Sequence, residues 1–174
     1  MQLMHRIALL LLLAPAAVLA RPSPLAGQWM CASTPQQLPA LLQIPAGQLR
    51  QQAALRATAD GHWHSNILLT LVPTDGSAPT HLRLQLGGNS QLRGRQWQQQ
   101  VLQAQLLPAA VPDRSLPAAA QRQFEALVLS LLRDAQVRHY RLLPSGPDQL
   151  LLAPIPDNRH HPRLACQRMP ESPI

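Results

Sequence analysis

Three histidines offer the first candidate chemistry. His62 and His64 stand two positions apart, and His81 opens the next alternating run. Side chains at i and i+2 of a strand share a face. His62 and His64 can therefore reach one metal ion, and His81 on the neighbouring strand could complete a Zn or Cu site. No acidic or Cys residue joins them, and they fall on the polar side of their strands, so a solvated row of imidazoles competes with the metal reading. His160-His161, flanked by prolines, reads as a solvated loop pair.

Other chemistries find less. No G-x-S-x-G is present, and no Ser, His and Asp set carries a recognisable local motif for nucleophilic catalysis. Acid–base work needs placed carboxylates, and the chain has only eight acidic residues: Asp60, Asp75, Asp113, Glu125, Asp134, Asp148, Asp157 and Glu171. Most of these positions are turns or the helix, where turn chemistry and capping account for them. Gly87-Gly88 has no helix start behind it and is not a phosphate loop. No catalytic residue and no cofactor is expected, so the chain is read as a non-enzyme.

The start of the chain bears on where it works. Arg6 precedes an unbroken apolar run over 7–13, too short to cross a bilayer as a helix, which needs about 20 residues. Pro15 interrupts it, and Val18 and Ala20 occupy the small-residue positions that signal peptidase reads. Cleavage after Ala20 is expected, and with it a periplasmic or secreted protein without a stable membrane anchor. Cys31 lies too far downstream to carry a lipoprotein anchor. Cys31 and Cys166 are the only cysteines and sit near the two ends of the remaining chain. In an oxidising compartment they are expected to pair with each other, unless the protein dimerises through them. A metal pair or a redox dithiol would place its cysteines close together.

The elements that must position these residues are mostly strands. A first strand is expected over 28–32, with Trp29 and Cys31 on one face. The segment 34–47, with Pro35, Pro39 and Pro45, reads as irregular or as one short helical turn. Strands over 55–58 and 63–72 flank a tight turn at Ala59-Asp60-Gly61, with Trp63, Ile67, Leu69 and Leu71 inward and His62, His64, Asn66 and Thr70 outward. A strand over 81–86 turns Leu82, Leu84 and Leu86 inward, and Gly87-Gly88-Asn89-Ser90 reads as a turn. The stretch 91–107 reads as one long bulged strand or a hairpin. One helix is expected over 118–133, with Phe124, Leu127, Val128, Leu131 and Leu132 in a single apolar stripe. A hairpin over 137–143 and 149–153 and a last strand over 163–168 complete the count. The fold class that follows is mainly β (α+β): a small antiparallel barrel or strongly curved sheet with one amphipathic helix packed on it. The domain organisation reads as a signal peptide over 1–20, a Pro-rich leader over 21–26, one β-barrel-like domain over 27–169 and a disordered tail over 170–174.

Composition narrows the partners. All fifteen basic residues are Arg, and the formal net charge is +7. The arginines are scattered singly, with little aromatic interleaving, so a nucleic-acid stacking platform has no basis. Aromatics are only 3% of the chain, and Leu, Ala and Val must supply the core. Eighteen prolines argue against a long helical bundle.

An ordered set of short motifs carries a resemblance. The domain opens with Gly27-Gln28-Trp29-Met30-Cys31, continues through Asp60-Gly61 and Gly94-Arg95-Gln96-Trp97, and ends with Cys166-Gln167-Arg168 after a helix and a hairpin. This order resembles a group of small exported proteins of proteobacteria and spans most of the domain. The resemblance implies a lipocalin-like or similar β-barrel and a Cys31–Cys166 bond, and it implies no activity. The opening G-x-W is also similar to that of lipocalins, where the Trp caps one end of a ligand-holding barrel. The Pro-rich segment 34–47 departs from the group's pattern, as does the lack of an acidic residue after the mid-chain strand.

Three functions are weighed. The leading one is a monomeric binding module for a small hydrophobic ligand or an envelope protein, an acyl chain being suited to a Leu/Ala-lined cavity. The second is an inhibitor or accessory protein acting through the loops at 34–47 and His160. The third is a metal-binding module built on His62, His64 and His81.

Overall fold

The computed structural model describes residues 23–41, 44–108, 116–134, 136–156 and 162–170. The leader over 1–20, His160-His161 and the end of the tail lie outside the described residues. Nine strands and one helix are present among them: β1 Gly27–Ser33, β2 Gln36–Leu38, β3 Gly47–Ala57, β4 His62–Pro73, β5 Thr80–Arg93, β6 Gln96–Leu107, α1 Ala118–Asp134, β7 Val137–Leu143, β8 Gln149–Pro154 and β9 Leu164–Arg168.

Each of β3 to β9 pairs antiparallel with the strand before it, except that α1 intervenes between β6 and β7. β1 pairs with β9 on one side and with β3 on the other, which closes eight strands into a barrel. Closure leaves free edge only where a strand outruns its neighbour. β2 continues the line of β1 along the first residues of β3. Cys31 sits directly opposite Cys166 across the β1–β9 seam, and the two form a disulfide.

The alternation expected of the central strands is present. In β4, Trp63, Ile67, Leu69 and Leu71 are buried while His62, His64 and Asn66 are exposed. Leu82, Leu84 and Leu86 of β5 meet them across the pair. With Trp29, Leu55, Trp97, Tyr140, Leu152 and Leu164 these residues make one contiguous core.

Four expectations need correction. Gly87-Gly88-Asn89-Ser90 is not a turn: β5 runs straight through it. A Cβ on Gly88 would collide with the Gln100 carbonyl of β6, so this glycine serves close strand approach rather than chain reversal. A bulge sits there, with Gly87 opposite Gln103 and Gly88 opposite Val101, leaving Leu102 as the extra residue. The chain reverses instead at Gly94-Arg95, where Gly94 has φ +59° and adopts the left-handed conformation a two-residue hairpin turn demands. Second, β3 begins at Gly47, eight residues ahead of its expected start, because pairing with β4 and β1 overrides the weak pattern of Gln48, Arg50, Gln51 and Gln52. Third, among its described residues the Pro-rich segment 34–47 holds β2 and a bridge between Leu41 and Ile44 and no helical turn, and Ile44 is buried.

The fourth concerns α1. Ala120, Phe124, Val128 and Leu132 are buried at four-residue spacing, but Leu131, expected in the same stripe, is 52% exposed. Contact along an i, i+4 row slants across a helix by about 40° per step at 100° per residue. By the last turn the buried face has rotated toward Leu129 and Leu132, and Leu131 has turned out.

Candidate functional site

The histidines occupy the outer face of the barrel and do not converge. His62 Nδ1 is 2.9 Å from Asn89 Oδ1, and its Nε2 is 3.7 Å from the Asp60 carboxylate. His64 Nε2 lies 3.2 Å from Gln85 Nε2. His81 pairs with Thr70, its Nδ1 lying 3.1 Å from the Thr70 hydroxyl. Thr70 stands six residues along β4 from His64, which puts His81 about 20 Å away at roughly 3.3 Å per residue. The expected His62, His64 and His81 metal set is therefore corrected by register, since pairing on the same face does not bring the third imidazole alongside. Among the described residues no group of three His, Cys, Asp or Glu side chains is placed to hold a metal ion.

The described carboxylates have local duties. Asp60 accepts a short hydrogen bond from the Thr58 hydroxyl, which lowers its pKa below the usual aspartate value, with His62 adding to the effect. Asp75 accepts from the Ser77 amide and hydroxyl at 2.9 and 2.7 Å, which lowers its pKa likewise. Glu125 accepts from Gln121 at 3.1 Å, and Asp148 faces Arg168 at 3.6 Å. These are turn, helix and surface contacts.

The G-x-W and C-x-R motifs meet where β1 pairs with β9, Trp29 standing opposite Arg168. Trp29 is 1% exposed and donates its indole N–H to the Leu25 carbonyl at 2.9 Å. Arg168 lies over the Trp29 ring and donates to the carbonyls of Ala26 at 2.9 Å and Pro24 at 3.4 Å. Leu25 is thereby drawn into the core. Beside this contact is a recess of about 370 Å³, lined by Leu25, Thr58, Asp60, Ser90, Leu92 and Trp97 among others.

Inside the barrel little room is left. The cavity at its centre measures about 30 Å³ and is lined by Leu55, Trp63, Ile67 and Leu86 together with the polar side chains of Gln51, Ser65, Gln99, Arg138 and Tyr140. That space is of water-molecule size, far below the several hundred Å³ of a pocket for a drug-sized or acyl ligand. Sequence reading counted Arg138 among scattered surface arginines. The signal that it turns inward is period two: Arg138 and Tyr140 share a strand face, and Tyr140 is buried.

The feature most unlike a finished barrel lies on β6. Only 96–100 of β6 pair with β7, and the last hydrogen bond on that side runs from the Val101 amide to the Gln136 carbonyl at 2.7 Å. Beyond it, Leu102 is the bulged residue and residues 103–107 pair with β5 alone among the described residues. Leu102 is 57% exposed, and Gln103, Ala104 and Gln105 are exposed beside it. A groove of about 210 Å³ runs between this edge and the end of α1, lined by Val101, Leu102, Ala104, Leu129 and Leu132 with Gln103 and Gln136. β6 contains no charged residue and no proline along its whole length. Natural edges carry charges, prolines or bulges that discourage pairing; here the single bulge sits at Leu102, the first residue of the open stretch, and 103–107 beyond it carry none of these.

No helix among the described residues is long and apolar enough to cross a membrane. No protein-family model matches the chain, and no curated protein matches it either.

Proposed function

We propose that this chain is an exported, non-enzymatic binding module that takes an extended segment of an envelope protein as an added strand along residues 102–107 of β6. One observation carries the reading: an uncharged edge whose main-chain groups over 103–107 meet no second strand among the described residues, beside a groove that Leu102, Ala104, Leu129 and Leu132 line together with Gln103 and Gln136. Strand addition uses such an edge for affinity and neighbouring pockets for selectivity. The interior cavity of about 30 Å³ turns the reading away from an enclosed hydrophobic ligand and toward a protein partner. Export is supported by the leader expected over 1–20 and by the disulfide, which suits an oxidising compartment.

The test is photo-crosslinking in cells that export the protein, with the probe residue at position 102 or, as a control, at the exposed position 56 on β3. A discrete adduct from position 102, absent from 56 and lost when Ala104→Lys charges the edge, is the expected result. Equal labelling from both positions, no adduct at 102, or an adduct of twice the chain's own mass contradicts it.

A further inference from the structure

We infer that the segment accepted along β6 carries an acidic residue across from Leu107 and, three positions later, an aliphatic residue across from Ala104. This rests on the strand-addition reading and adds the partner's chemistry to it. Two recesses lie against the open stretch, one on each face of the sheet, and they differ in kind.

The outer recess is the basic one. Arg83 of β5 stands opposite Leu107, with Leu68 of β4 on its other side. Arg83 is exposed, and a hollow of about 160 Å³ is lined by Asn66, Leu68, Arg83 and Leu107 among others. A strand added beyond Leu107 stands two inter-strand steps from Arg83, about 10 Å. A guanidinium on an extended stem crossing Leu107 and a carboxylate reaching back span that distance. The net charge of +7 favours an acidic segment before any contact is made.

The inner recess is the apolar one. Ala104 stands opposite Leu86, which is buried, and so belongs to the core-facing row of β6. The groove that Ala104 lines with Leu129 and Leu132 lies on this face. A residue paired with Ala104 shares its face and enters that groove. Positions 104 and 107 are an odd number of residues apart, so their cross-strand neighbours point to opposite faces. One added strand can therefore fill both recesses. Every strand pair of the described barrel is antiparallel, and antiparallel pairing is slightly the more stable. That direction places the acidic residue first, giving acidic-x-x-aliphatic.

The experiment titrates the full oxidised chain with terminally blocked heptapeptides and follows residue-resolved amide shifts. Thr-Glu-Thr-Val-Leu-Thr-Val has the stated spacing. It should shift the amides of 103–107 saturably and bind about tenfold more tightly than Thr-Leu-Thr-Val-Glu-Thr-Val, which has the same composition with the two residues exchanged. Gln in place of Glu should weaken binding about threefold at low salt, and Arg83→Gln should abolish that difference. Equal binding by the original and exchanged peptides, both lost in Ala104→Lys, overturns the inference and leaves strand addition standing. Tighter binding by the exchanged peptide overturns it too, as does a preference for Glu that survives Arg83→Gln. If no peptide shifts 103–107, the inference falls together with the reading beneath it.

Discussion

The guanidinium of Arg168 lies 4.2 Å from the centre of the Trp29 indole ring, which ties the last strand of the barrel to the first. The contact does more than stack. Arg168 also donates to the Ala26 and Pro24 carbonyls, so one side chain fixes the incoming chain, Trp29 and the end of β9. Arg168→Ala should lower unfolding free energy by about 2 kcal/mol, from the lost cation–π contact and charge-assisted hydrogen bonds. Arg168→Lys should recover less than half of that, because an ammonium lacks the planar fork. Asp148→Asn should change stability by less than about 0.5 kcal/mol, since that pair is largely exposed. Denaturant titration of the three variants checks the ranking.

Gly88 lies where β5 passes close against the β6 backbone. Gly88→Ala forces a methyl group against the Gln100 carbonyl, and backbone cannot yield as a flexible side chain does. A loss of about 1–3 kcal/mol is expected. Gly146→Ala, where nothing lies within 4 Å of the added methyl group, is the matched control and should be close to neutral. Thermal melts of both variants decide this, and equal effects would remove close strand approach as the reason for the glycine.

Much of this fold was legible in the chain, and the reasons for the misses are physical. Burial on one face leaves a period-two trace, so β4 and the first half of β5 could be read from Trp63, Ile67, Leu69 and Leu84. The Cys31–Cys166 bond followed from there being two cysteines. Gly87-Gly88 misled because glycine serves both turns and close strand contact, and only the neighbouring strand tells which. β3 was shortened because Gln48 and Gln51 do not mark a face. The candidate sites were less legible still. That 103–107 lack a second neighbour among the described residues is a property of pairing register, which no local pattern encodes. Arg138 looked like a surface residue until its strand face was known.

Tyr140 is the only tyrosine in the chain. Burial raises its pKa above the ordinary value of 10.0, with Arg138 pulling the other way. The neutral phenol is therefore favoured in the folded state. Its contribution to stability is fully present below the unfolded pKa of about 10 and is lost as pH rises through the folded value. Absorbance at 295 nm should show phenolate forming above pH 10 in the native protein and at about 10 in denaturant. Stability of the unmutated chain should fall above pH 10 relative to Tyr140→Phe. A native titration at the ordinary value would contradict the buried placement.

Cys31 and Cys166 enclose a loop of 135 residues. Chain-entropy arguments assign such a loop about 5 kcal/mol of stabilisation as an upper figure, comparable with the whole net stability of many domains. Cys31→Ala/Cys166→Ala should lower the urea midpoint by more than any other double substitution in the core, and reduction of the unmutated protein should do the same. An unchanged midpoint would mean that the β1–β9 seam closes without its staple.

Leu102→Lys and Ala104→Lys should each alter stability by less than about 0.5 kcal/mol, because both side chains are exposed and neither anchors the core. Chemical denaturation of the purified variants checks that they test binding and not folding. A loss above about 1 kcal/mol would mean the edge is covered in the free protein.

Residue-resolved hydrogen exchange of the free, oxidised protein tests the open edge most directly. β4 between 63 and 71 is paired on both sides, and its amides should be uniformly protected. Along 102–107 the amides directed at β5 should share that protection, while the alternate ones should exchange at close to unstructured rates. That two-residue rhythm is the predicted result. Uniform protection across 102–107 would show the edge already paired within the chain, and the strand-addition account would fall with it.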